Sequence, residues 1–126
     1  MTKIQMNETT NTKTKYDLEE RTYQFAKEVR GFFKAIPKTI ANIEDGKQLV
    51  RASGSVGANY IEANEALSKK DFIMRIKICR KEVKEARFFL RLLDINQNFQ
   101  LEETRKKLIQ EATELMNIFG SIIHKV

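Results

Sequence analysis

Between Phe72 and Leu93 the apolar residues fall at Phe72, Ile76, Cys79, Val83, Ala86, Leu90 and Leu93, alternating steps of four and three. That is the seam of a helix packed lengthwise against other helices. Three further segments carry a seam of the same kind. The first runs Leu18, Thr22, Phe25, Val29, Phe32 and Ile36; the second runs Leu49, Ser53, Val56, Tyr60, Ala63 and Leu67; the last runs Leu101, Arg105, Leu108, Ala112, Leu115, Phe119 and Ile122. Four long helices in a chain of 126 residues leave only short connections, which make neighbours antiparallel. The expected fold is all-α, a single domain built as an up-down-up-down four-helix bundle.

Capping signals set the expected boundaries. Asp17 with Glu20, Asp45 with Gln48, and Ser68 with Asp71 all have capping-box spacing and are read as the starts of helices one, two and three. Pro37 ends the first helix by pushing its predecessor out of the helical region. The fourth is expected to open near Leu101, with Glu102 and Glu103 in its first turn. Arg105 interrupts the last seam, so it belongs at the end of the bundle, or the seam begins at Leu108. Gly54 and Gly57 share a second row on helix two with Val50 and Ile61. Each interior glycine costs about 1 kcal/mol against alanine, a cost expected where backbones approach closely.

Residues 1–15, rich in Thr, Asn and Lys, are expected to form a mobile tail, with the bundle occupying 16–126. The tail lacks the apolar stretch of a signal peptide, and no run approaches the roughly 20 apolar residues that cross a membrane. Apolar rows remain after each helix has its seam: Ile109, Met116 and Ile123 on helix four, and Phe88, Leu92, Ile95 and Phe99 opposite the seam of helix three. Such a surplus points to a subunit interface and a homo-oligomer, the alternative being a wider monomer core.

No catalytic constellation is present. The single cysteine, Cys79, lies on an apolar seam, which excludes an intrachain disulfide and fits a reduced, cytoplasmic protein with a core thiol. His124 is the single histidine. Glu62, Glu65, Glu82 and Glu85 lack a histidine three residues later, as a ferritin-like di-metal site requires. The Gly54 and Gly57 region lacks the Lys-Ser/Thr of a phosphate loop. The expectation is no enzyme, no metal and no cofactor. Arg51, Asn59, Glu62, Glu82 and Glu85 are read instead as a structural polar network between helices two and three, with Ser53 and Ser55 as further partners.

Charge carries the functional signal. The segment 69–91 holds nine basic and three acidic residues, a surplus equal to the whole chain's net +6. Along one side of the third helix run Lys77, Arg80, Lys84, Arg87 and Arg91. A row of cations at this spacing neutralises phosphates in a salt-sensitive, sequence-indifferent way. No aromatics interleave the row, which argues against reading bases of a single strand. Glu82 and Glu85 are expected to neutralise part of it through Lys81, Arg75 and Lys84. The stripe therefore reads either as a surface for RNA or another nucleic acid, or as a solvated, intersubunit or protein-docking face with an acidic partner.

Four stretches carry a family resemblance: Gln48-Leu49-x-Arg51-Ala52, Ser55-Val56-Gly57-Ala58-Asn59-Tyr60-x-Glu62-Ala63, Ser68-x-x-Asp71-Phe72, and Lys77-Ile78-Cys79-x-Lys81-Glu82-x-x-Glu85. They resemble a bacterial four-helix-bundle family encoded in intervening sequences of large-subunit ribosomal RNA genes and elsewhere in bacterial genomes. Its Asn-x-x-Glu-Gly/Ala box matches Asn59, Glu62 and Ala63, and its helix-three acidic positions match Glu82 and Glu85. The resemblance covers the chain from about Asp17 onward. It implies a ring-like homopentamer, related to the basic pentameric accessory protein of diversity-generating retroelements, which contacts nucleic acid and a reverse transcriptase. Where many relatives carry Tyr-Trp-Leu on helix three, this chain reads Arg87-Phe88-Phe89-Leu90.

Overall fold

The computed structural model describes the backbone of residues 10–126, with side chains from Leu18 onward. These residues form four antiparallel helices: α1 (Thr10–Ala35), α2 (Ile40–Asn64), α3 (Lys69–Leu92) and α4 (Phe99–Lys125). Each packs on its neighbours around a ring, with α2 against α3 the most extensive contact and α4 against α1 the least. At about 1.5 Å rise per residue the bundle is roughly 36–40 Å long. The four seams meet in one core, including Phe25, Val29, Leu49, Val56, Ile76, Val83, Leu90, Leu108, Leu115 and Phe119, all buried. Thr22 and Ser53, the polar members of their seams, stay satisfied locally by donating to the carbonyls of Leu18 (2.7 Å) and Val50 (3.1 Å).

The caps differ from expectation at two helix starts. Asp17 stands inside α1, which begins at Thr10, so part of the expected tail is helical; residues 1–9, the rest of that tail, lie outside the described residues. Asp45 and Gly46 stand inside α2, whose N-cap is Thr39, its Oγ1 accepting from the Asn42 N–H at 3.1 Å. The reason is the kink at Pro37: once the chain has turned, Thr39 can cap and the next helix starts at once. Lys38 seals the end of α1 by donating to the carbonyls of Ile36 (2.7 Å), Phe33 (2.8 Å) and Lys34 (3.1 Å). Ser68 caps α3 as expected, accepting from the Asp71 N–H at 3.1 Å; α4 begins at Phe99, two residues before the expected Leu101, with Asn98 as its N-cap accepting the Leu101 N–H at 2.9 Å.

Both loops at one end of the bundle are tied to a single buried side chain. Asn42 donates to the carbonyls of Pro37 (2.9 Å) and Asp94 (2.7 Å) and accepts from the Asp94 N–H at 2.9 Å. Arg105 belongs to the same end. Its guanidinium donates to the carbonyls of Leu93 and Leu90 that the end of α3 leaves open, and pairs with Glu102 at 2.8 Å. Towards the other end Arg21 on α1 forks onto Glu111 of α4, at 2.7 and 2.9 Å, closing the ring of helices.

The surplus row expected opposite the α3 seam splits, because α3 ends at Leu92 and Phe99 opens α4. Ile95 is buried, whereas Phe88, Leu92 and Phe99 are at least half exposed. Leu67, read as the end of the α2 seam, lies in the α2–α3 loop and is fully exposed, because α2 ends at Asn64.

Candidate nucleic-acid interface

The α3 seam packs inward on α2 and α4, which turns the flank bearing Lys77, Arg80, Lys84 and Arg91 to solvent; all four are exposed. Arg87 is different. It is half-buried and its Nη1 donates to Thr113 Oγ1 on α4 at 3.2 Å, so it joins two helices as well as contributing charge. Lys81 belongs with the row although sequence reasoning placed it among residues neutralised by glutamate. Lys77, Arg80, Lys81, Lys84 and Ile123 line one cleft of about 370 Å³ between α3 and the last turns of α4. The signal for Lys81 was available, since it stands four residues after Lys77 and so on the same side of the helix.

The acids beside this row do not quench it. Glu82 and Glu85 are drawn round α3 to Arg51 of α2, whose Nη1 lies 3.3 Å from Glu82 Oε1 and whose Nη2 donates to Glu85. Arg75 is likewise occupied, donating to Asn59 Oδ1 at 3.0 Å, while Asn59 Nδ2 donates to the Ser55 carbonyl (2.9 Å) and Oγ (3.0 Å). The expected neutralisation through Lys81, Arg75 and Lys84 is therefore replaced by a network facing α2. Among the described residues none of Lys77, Arg80, Lys81, Lys84 or Arg91 is held in an ion pair. Glu62 stands apart from the network: it is exposed, and no described residue bonds to its carboxylate.

Glu82 is the buried member of the network. Burial pushes its carboxyl above the ordinary range, the neighbouring Glu85 adds to the rise, and Arg51 opposes it. Its Oε1 is shut off from solvent and meets Arg51 as an ion pair without hydrogen-bond geometry. Cys79 is fully buried; burial pushes its thiol up to about 12, and Sγ–H points at the Val56 carbonyl, 3.4 Å away. Among the described residues no group of three or more His, Cys, Asp or Glu could hold a metal ion, and no helix is long and apolar enough to cross a membrane.

Residues 14–121 match the model of the family described as 23S rRNA-intervening sequence protein. The chain belongs to that family. The resemblance carried by Asn59, Glu62, Ala63, Glu82 and Glu85 thus extends to nearly the whole chain. A crystal structure of a protein of unknown function from the S23 ribosomal protein family of Bacteroides thetaiotaomicron VPI-5482 is similar to this intervening-sequence protein, at 29% identity and a TM-score of 0.73. The similarity covers 84% of this chain and 97% of that one. No curated protein matches the chain.

Proposed function

We propose that this intervening-sequence protein is a non-enzymatic binding protein that holds nucleic acid through the basic flank of α3. The observation that carries the reading is the pairing of Glu82 and Glu85 with Arg51, which leaves five cations on one face without counter-charge. A surface of that kind releases counterions when phosphates replace them, so affinity comes mostly from the backbone and falls steeply with salt. The family description, with its link to ribosomal RNA genes, favours RNA as the ligand.

Oligomerisation belongs to the same reading. Phe88, Leu92 and Phe99 expose apolar surface near one end of α3, where a second subunit would bury it, and repetition by symmetry would multiply the basic face. The site of action is the cytoplasm, where RNA is available. A protein-docking role for the same cations, toward an acidic partner or a reverse transcriptase, is the second reading; the exposed apolar row beside them supports it.

Light scattering behind a sizing column, with and without a structured RNA pool at low and high salt, tests the proposal. An RNA-dependent shift present at low salt, lost at high salt and weakened by combining Lys84→Glu with Arg91→Glu is the expected result. An unchanged elution with RNA at low salt would move the assignment to a protein partner.

A further inference from the structure

Resting on the nucleic-acid reading, we infer that the cleft bounded by Lys77, Arg80, Lys81 and Lys84 seats the backbone of an RNA double helix in preference to a single strand. Four cations converge on one cleft of about 370 Å³, with Ile123 as its apolar side and no acidic residue in its lining. They share one flank of α3. Arg80 reaches α4, its Nε 3.8 Å from the point where a β-carbon on Gly120 would stand. A single strand brings to such a site the phosphates of one backbone only. A double helix brings phosphates of two strands toward each other across its narrow groove, which in A-form RNA is the major groove.

The second observation is the absence of a stacking platform. Proteins that grip single strands set aromatic side chains beside the cationic groove so that successive bases stack on them. No aromatic residue lines this cleft. The exposed Phe88 lies outside the lining, one turn beyond Lys84 on α3; Phe99 is at the other end of the bundle, and Tyr23 is on α1, which does not pack on α3. The Ile123 side of the cleft suits the lysine stems and a ribose edge, and it offers nothing that distinguishes one base from another.

Fluorescence anisotropy of the full chain with a labelled RNA duplex, and with one of its strands alone, tests the assignment. The duplex is expected to bind about tenfold more tightly at low salt, with a steeper salt dependence. The Lys77→Glu/Lys81→Glu variant should erase that preference, and Lys77→Gln/Lys81→Gln should reduce it. Arg91→Glu, outside the cleft, should weaken duplex and strand alike. Equal or tighter binding of the single strand overturns the duplex assignment while leaving the nucleic-acid reading in place. A preference that survives both lysine variants overturns the role of the cleft. Failure of both RNAs to bind at low salt, including the case in which inorganic tripolyphosphate alone binds, overturns both readings.

Discussion

Arg51 on α2 holds two carboxylates of α3 at once, with Nη1 3.3 Å from the buried Glu82 and Nη2 donating to the more exposed Glu85. This fork joins the most extensively packed pair of helices and keeps acidic charge off the cationic flank. Arg51→Ala would strand Glu82, whose Oε1 has no other partner. Leaving a buried polar group unpaired costs about 1–3 kcal/mol, and more when it is charged. The pH dependence has a definite sign. Because the folded carboxyl is held above its ordinary range, the folded chain keeps a proton that the unfolded chain has already released. The contribution of Glu82 to stability is therefore fully present below the ordinary range and is lost as pH rises through the raised folded value. Urea midpoints should show the Arg51→Ala loss at neutral pH and its shrinkage on acidification, as Glu82 becomes neutral. A loss independent of pH would contradict this account. Glu82→Gln should flatten the profile of the parent chain.

Asn42 provides a second test, this time of the loops. Its side chain makes three hydrogen bonds that tie the α1–α2 turn to the α3–α4 turn. Asn42→Ala removes all three, and the expected loss is about 2–3 kcal/mol. Asn42→Asp keeps the acceptor for the Asp94 N–H but turns a carboxylate on two carbonyl oxygens, so it should destabilise as well. Hydrogen exchange at the Asp94 amide should accelerate sharply in Asn42→Ala and much less in Asn42→Asp.

The bundle was legible because seams are a global signal: every member from Leu18 to Ile36 and from Ile76 to Leu93 is buried. Helix starts are a local signal and were less reliable. Asp45 and Gln48 have capping-box spacing, yet the same spacing occurs on an ordinary helix surface, and the turn at Pro37 had already given Thr39 the first opportunity to cap. Arg105 shows the same limit from the other side. Its place at the bundle end could be inferred from an interrupted seam, but its targets, the last carbonyls of α3, lie in another helix. The candidate site was half legible. The cationic row follows from helical period alone, whereas the choice of Glu82 and Glu85 between the row and Arg51 depends on the rotation of α3 against α2.

Two glycines separate close packing from helix propensity. Gly46 faces Phe33, whose Cε1 would lie only 2.0 Å from an added β-carbon. Gly31 has nothing within 4 Å of that point. Alanine is intrinsically better than glycine inside a helix by about 1 kcal/mol. Gly31→Ala should realise most of that gain, while Gly46→Ala should be net destabilising by about 1–2 kcal/mol because the ring must move out of its packing. Thermal melts of the two variants should shift in opposite directions. Phe33→Leu in the Gly46→Ala background should recover part of the loss.

The thiol of Cys79 gives a probe of opening. It is fully buried, and its titration lies at about 12. Thiolate is the reactive species, so alkylation by iodoacetamide at mildly alkaline pH should proceed only through opening of the α2–α3 contact. The native chain should be unreactive over a time in which the urea-unfolded chain is fully modified. Arg51→Ala should quicken the native reaction, since it loosens the same contact.

Arg87 and Arg91 sit in one row but answer to different constraints. Arg91 is exposed and unpaired, while Arg87 is half-buried and donates to Thr113 across the α3–α4 contact. Arg91→Glu should leave the thermal midpoint nearly unchanged and weaken RNA binding across sequences. It should also lower the slope of log affinity against log salt by about 1, because one phosphate is no longer neutralised. Arg87→Glu should instead lower stability by about 1 kcal/mol, because the tie is broken and an acid is placed beside a threonine that already donates to the Ile109 carbonyl. Arg87→Gln, which keeps a donor for Thr113 Oγ1, should restore stability without restoring the charge. Affinity measured in this pair separates the contribution of charge at position 87 from that of packing. Equal loss of binding in Arg87→Gln and Arg91→Glu, with both folded, would place position 87 on the phosphate-binding face despite its partial burial.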